Sequence, residues 1–275
     1  MSNIGPIGVF DSGYGGLTIL KEIQTRLPQY DYIYLGDNAR APYGGRSFET
    51  VYQFTLSAVR WFFDQGCPLV ILACNTASAK ALRTIQQNDL PLIDCTRRVL
   101  GVIHPSIEAI GSLTHSKHVG VLGTVGTIRS ESYPMEIKKL FQDITVVQQA
   151  CPMWVPIVEN GEAENNGADY FVKKYINELL EKDPDIDAII LGCTHYPILW
   201  NKIRQYTPAH IELVAQGDIV ASSLNDYMER HPEMEVCCQK NNQLAFYTTD
   251  STEVFDAQAG SLFGSPIQSK HTRLS

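Results

Sequence analysis

Short apolar, β-branched runs recur along the chain. Each closes on Gly, Asp or Thr and leads into a longer stretch with helical periodicity. Ile7 to Phe10, Tyr32 to Leu35, Leu69 to Ala73, His118 to Leu122, Ile144 to Gln148 and Ala188 to Leu191 read as strands. Leu17 to Leu27, Glu49 to Gln65, Ala77 to Gln87, Ser130 to Phe141, Ala168 to Glu181 and Leu199 to Gln205 read as helices, with Gly66 placed to end the second of these. Strands that are apolar throughout are buried on both faces. The pattern therefore predicts the α/β class, with mainly parallel sheets flanked by helices.

The pattern also repeats. Gly8-Val9-Phe10-Asp11-Ser12 is followed later by Leu72-Ala73-Cys74-Asn75-Thr76. Gly120-Val121-Leu122-Gly123-Thr124 is followed later by Leu191-Gly192-Cys193-Thr194-His195. In both units a strand ends in a small polar turn, and a later strand ends in a small residue, Cys and two polar residues. The echo predicts two pseudo-symmetric domains, each offering one cysteine at the carboxyl end of a strand, where α/β sheets bind ligands. We expect residues 1–100 plus 212–275 to form the first domain and 101–211 the second, with the active site in the cleft between them. The strand-like run Leu244 to Tyr247 and the helix-like run Asp218 to Arg230 complete the first domain, and Pro266 to Ser275 reads as a mobile tail.

Composition narrows the function. Lys and Arg number 22 against 30 Asp and Glu, a net charge of −8, which excludes the basic footprint of a nucleic-acid binder. No apolar run approaches the length of a membrane span, and MSNIGPIGVFDSG does not read as a signal peptide. Seven cysteines, an odd number with no secretory signal, point to free thiols in a reducing, cytoplasmic setting.

Cys74 and Cys193 are the candidate reagents. A thiol between a strand end and a helix start has backbone N–H groups and the helix dipole to stabilise its anion. Cys67, Cys95, Cys151, Cys237 and Cys238 lack that frame and read as structural. Asp11-Ser12-Gly13-Tyr14-Gly15-Gly16 is a Gly-rich turn able to approach an anion. Thr18 stands where a dinucleotide fingerprint needs glycine, so Asp11 and Ser12 are read as facing a small zwitterion. Gly44 and Gly45, in the loop from Asp37, could bind a carboxylate. Cys193 and His195 are too closely spaced for a usual zinc site, so no metal is assigned; His195 is a proton donor beside a thiol.

GVFDSGYGGLTIL (8–20), YLGDNARAPYG (34–44), ACNTASA (73–79), GVLGTVGT (120–127) and LGCTHYPIL (191–199) together resemble bacterial glutamate racemase across nearly the whole chain. The resemblance implies cofactor-independent interconversion of L- and D-glutamate, supplying D-glutamate for peptidoglycan, in a homodimer. It makes Cys74 and Cys193 the acid/base thiols, assisted by Asp11 and His195. It assigns substrate contacts to Asp11, Ser12, Tyr43, Gly44, Asn75, Thr76, Thr194 and His195, adds Thr124 and Thr127 to the pocket and sets Glu159 near its entrance. Asn38 stands where Thr is more usual, and Cys95 to Leu100 is a longer domain connection than is common.

The chemistry suits the residues. Racemisation removes a Cα proton from one face and returns one to the other, so two groups on opposite faces outperform one. Without a visible cofactor the site must stabilise a carbanion-like state with fixed donors such as Ser12, Asn75, Thr76 and Thr194. Rival expectations are a racemase of another amino acid such as aspartate, a hydrolase using Cys74 with His195, and a small-ligand binding protein.

Overall fold

The computed structural model describes residues 4–274; Ser275, the last residue of the expected tail, lies outside them, as do residues 1–3. Two parallel sheets organise the chain. The first holds β1 (Ile7–Asp11), β2 (Tyr32–Gly36), β3 (Leu69–Leu72), β4 (Arg98–Gly101), β9 (Leu244–Thr248) and β10 (Ser269–His271), in the order β10-β9-β2-β1-β3-β4. The second holds β5 (His118–Gly123), β6 (Thr145–Ala150), β7 (Ala188–Gly192) and β8 (Glu212–Val214), in the order β6-β5-β7-β8. Every pairing within both sheets is parallel.

Each sheet is a filled sandwich because alternate residues face opposite layers. In the first sheet Ile7, Val9, Tyr34, Leu69 and Ile71 pack against Leu20 and Ile23 of helix Leu17–Arg26 and against Val220 and Leu224 of helix Gln216–Arg230. Phe10, Leu35, Val70 and Leu72 face Val59 and Phe62 of helix Phe48–Asp64. Phe62 is fully buried, and a Cβ on Gly8 would sit 2.6 Å from its ring, so glycine lets the ring lie on the sheet. Truncating such a residue to Ala costs about 3–5 kcal/mol. In the second sheet Leu122, Ile189 and Leu191 meet Val172 and Ile176 of helix Asn166–Lys182, and Val119, Val121 and Ile190 meet Ile107, Ile110 and Ile137 on the other face.

Local chemistry marks the helix ends. Ser47 caps Phe48–Asp64 by accepting from Thr50 N at 3.1 Å, and Gly66 turns the chain away at φ +83°. Thr124 accepts from Thr127 N at 3.2 Å and caps the short helix Val125–Arg129 directly after β5.

Several expectations are corrected. The tail is not free: Ser269–His271 pairs with β9, Ser269 N donates to Asp256 Oδ1 at 2.9 Å, and Ile267 is buried. Glu212–Val214, assigned to the first domain, extends the second sheet instead. Part of the expected connection 95–100 forms β4, an edge strand on β3. The helix expected at Ala77 to Gln87 is broken into Asn75–Lys80, Leu82–Thr84 and a π turn at Ile85–Asp89, ahead of Leu90–Ile93, where Pro91 supplies no N–H to the turn before it. Helices Ile103–Leu113, Trp154–Glu159 and Thr252–Phe263 are additional to those expected.

Register positions the site. Asp11 pairs with Gly36, and Phe10 with Leu72, so the loops after β1, β2 and β3 leave one rim of the first sheet together. Gly123 pairs with both Ala150 and Gly192, so Thr124, Cys151 and Cys193 leave one rim of the second.

Candidate active site

Cys74 stands at the cap of helix Asn75–Lys80, two residues past β3, and is 5% exposed. Its Sγ reaches Ser12 Oγ at 3.5 Å. Burial pushes the thiol up and the charge of Asp11 adds to this, while Ser12 and the Ala77 N–H oppose it; the net position is about 12. Cys74 therefore keeps its proton at neutral pH.

Cys193 follows β7 and has a different partner. Its Sγ lies 3.8 Å from His195 Nδ1, and His195 Nε2 lies 3.1 Å from Glu159 Oε1 on helix Trp154–Glu159. Burial pulls the imidazole down, but its bonds to Cys193 and Glu159, together with their charges, overcome this and raise it to about 10. The ring carries its proton across neutral pH, beside the sulfur. The expected Cys74–His195 hydrolase dyad is not the pairing built here, because His195 serves Cys193.

Asp11 is fully buried and does not line the cavity. Its carboxylate accepts from Gly13 N at 2.9 Å and from Thr194 Oγ1, across the cleft, at 3.2 Å. Burial raises its carboxyl, opposed by the charge of His195 and by the bonds from Gly13, Gly16 and Thr194. The Gly-rich turn, whose Ser12 lines the cavity, is also a docking surface. A Cβ on Gly15 would lie 2.3 Å from Thr194 Oγ1 and 2.5 Å from His195 Nδ1. Glycine there lets the turn after β1 touch the loop after β7, and Thr18 Oγ1 adds a bond to Thr194 O at 3.1 Å.

The hydroxyls of Thr76, Thr124 and Thr127 form a second contact across the cleft, at 2.9 Å between Thr76 and Thr124 and 3.1 Å between Thr124 and Thr127. Gly126 N donates to Gly44 O at 2.7 Å. Tyr43 gives its hydroxyl to Asp37, which also takes Arg40 Nε at 2.7 Å and Thr249 Oγ1 at 2.8 Å. Tyr43 thus offers the cavity its ring and leaves polar work to its neighbours.

These loops enclose a cavity of about 220 Å³. Ser12, Tyr43, Gly44, Cys74, Asn75, Thr76, Thr124, Glu159, Cys193, Thr194 and His195 all line it; Asp11 and Thr127 stand behind the wall. The volume suits a small amino acid and is too small for a dinucleotide. Cys151 also lines it, although its sequence context read as structural. The signal was positional: Cys151 follows β6 at the same rim as Thr124 and Cys193. A separate cavity of about 840 Å³, bordered by Lys80, Arg83 and Arg129, contains neither thiol. Among the described residues, His118, Asp183 and Asp185 are close enough together to offer a metal three ligands, and they lie outside the thiol cavity.

Two parallel α/β sheets, each bringing one largely buried thiol to a common pocket, fit an α/β enzyme that works by acid/base chemistry. The chain belongs to the Asp/Glu/Hydantoin racemase family, whose model matches residues 16–224. It is 39% identical over 269 residues to a glutamate racemase of Bacillus cereus, covering 98% of this chain and 97% of the relative. Among solved structures it is similar to glutamate racemase isoform RacE1 of Bacillus anthracis, with a TM-score of 0.89, 33% identity and coverage of 98% of both chains. It is also similar to the glutamate racemase of Francisella tularensis in complex with D-glutamate, with a TM-score of 0.87, 31% identity and coverage of 99% of both chains.

Proposed function

We propose that this protein interconverts L- and D-glutamate without a cofactor, using Cys74 and Cys193 as alternating thiolate and thiol, and so supplies D-glutamate for peptidoglycan. The observation that carries this reading is the single 220 Å³ cavity that both sulfurs line, each from its own sheet. The relatives' names supply the substrate, and the Francisella structure supplies a D-glutamate-bound precedent.

In this reading Cα sits between the sulfurs. Cys193 takes the proton of L-glutamate as the Cys74 thiol delivers its proton to the opposite face; D-glutamate runs the sequence backwards. His195 balances or returns charge at Cys193, held by Glu159. Ser12, Asn75, Thr76 and Thr194 supply donors to the substrate's α-carboxylate as charge spreads into it. Each charge-assisted bond of this kind is worth about 1.5–3 kcal/mol, so several are needed to offset the weak acidity of Cα–H. Among the described residues no helix is long and apolar enough to cross a membrane. A cytoplasmic homodimer fits the family resemblance.

Turnover in deuterated water tests the proposal. The product should carry deuterium at Cα, and Cys74→Ala and Cys193→Ala should each abolish racemisation. Racemisation that survives Cys193→Ala, or glutamate bound without Cα exchange, would overturn it. Faster turnover of aspartate than glutamate would move the substrate assignment but leave the thiol chemistry standing.

A further inference from the structure

Gln216 opens the helix Gln216–Arg230 and does not line the cavity between the thiols. It is 2% exposed, and both ends of its carboxamide are engaged. Its Oε1 accepts from Asn75 Nδ2 at 2.6 Å. Its two Nε2 hydrogens are shared among three acceptors, Ser106 Oγ at 2.7 Å, the Tyr133 hydroxyl at 3.0 Å and Val102 O at 3.1 Å. The Tyr133 hydroxyl in turn donates to Asn75 Oδ1 at 2.8 Å and closes a triangle of Asn75, Gln216 and Tyr133.

The members of this network come from different parts of the molecule. Asn75 directly follows Cys74 and borders the cavity. Ser106 and Tyr133 lie on helices Ile103–Leu113 and Ser132–Leu140, which pack on the second sheet. Gln216 comes just after β8. A buried amide left unpaired is expensive, so the satisfied triangle has one favourable arrangement. Within it Asn75 has its oxygen and one N–H committed, which leaves its other N–H with a fixed direction.

We propose that Gln216 is a positioning residue for the reaction. With Tyr133, it locks the Asn75 carboxamide so that the uncommitted N–H meets the substrate's α-carboxylate beside Cys74. Gln216 touches no reacting atom and acts through Asn75. Because Ser106 and Tyr133 lie on helices that pack on the second sheet, Gln216 also ties the orientation of Asn75 to the way the layers of the two sheets meet. This inference rests on the glutamate racemase reading above.

The test is a double-mutant cycle on kcat/KM with both glutamate enantiomers, using Gln216→Ala, Asn75→Ala and the combined variant. Thermal melting is recorded alongside. We expect Gln216→Ala to lose about 10-fold and Asn75→Ala about 100-fold, with the double variant no worse than Asn75→Ala within about 2-fold. A merely structural role would instead multiply the two losses, to about 1,000-fold, and would overturn the proposal; so would full activity in Gln216→Ala. Should Gln216→Ala fail to fold, Tyr133→Phe, which removes one oxygen from the same triangle, replaces it in the cycle with the same expected and contrary outcomes. Wild-type protein that turns over neither enantiomer would sink the racemase reading and this inference together. Turnover with multiplied losses would sink the inference alone.

Discussion

Glu159→Gln isolates the charge behind His195 while keeping an oxygen that can accept from the ring. Burial alone would strip the proton from this imidazole, yet His195 is raised from 6.5 to about 10. At about 1.4 kcal/mol per pH unit, the rise is worth on the order of 5 kcal/mol of preference for the charged ring. Two partners sustain it, Cys193 at 3.8 Å and Glu159 at 3.1 Å, each through a bond and a charge. The Glu159 side chain is 22% exposed, so solvent screens part of its share. Removing its charge should therefore lower His195 by about 1–2 pH units, or about 2 kcal/mol. The assay is kcat/KM for glutamate against pH, followed by circular dichroism. The alkaline limb should move down by that amount. Stability carries the same sign, because a histidine raised on folding stabilises the protein fully below its unfolded value and loses that contribution as pH rises through the folded one. The unfolded value is common to both proteins, so the melting difference should hold level up to the variant's own folded value, about pH 8–9, and close by about pH 10. An alkaline limb that stays in place while rates fall would refute this account of Glu159.

Two further perturbations probe how the site is held. Gly15→Ala places a methyl 2.3 Å from Thr194 Oγ1 and 2.5 Å from His195 Nδ1, and steady-state kinetics should show kcat/KM falling by about 100-fold or more, because the loop that carries Cys193 and His195 must move. Wild-type rates in that variant would mean the loops tolerate separation. Truncation before Pro266 removes β10 and exposes the edge of β9, so the melting temperature should drop by about 5 °C while racemisation survives. An unchanged melting curve would show that the terminal strand contributes nothing.

The central strands were legible because β1, β3, β5 and β7 are buried on both faces and, apart from Asp11 and His118 at their ends, carry no polar side chain. The edges were not. β10 is Ser-Lys-His, and its place is set by pairing with β9 rather than by hydrophobicity. Helix Ile103–Leu113 carries Pro105 and Gly111, residue types disfavoured inside helices, yet Pro105 falls in the first turn, where its missing N–H costs little. The two cysteine frames disclosed both thiols, since a strand-end motif is local. What lies behind them was hidden. Gln216, Tyr133 and Asn75 are far apart in the chain, and only packing brings them together. Gly15 was visible as a glycine, but its neighbour turned out to be another loop of the same chain.

Cys74 leans on a hydroxyl and Cys193 on an imidazole, so the pocket is lopsided for a reaction whose two ends are mirror images. Enantiomers in achiral water have equal free energy, and no arrangement of side chains can tilt that balance. For the proposed reaction the Haldane relation then forces both hands to share one specificity constant. The lopsidedness can only trade KM against kcat, so the hand with the lower KM must be turned over in proportion more slowly. Any net flow towards one enantiomer has to be drawn by whatever consumes it.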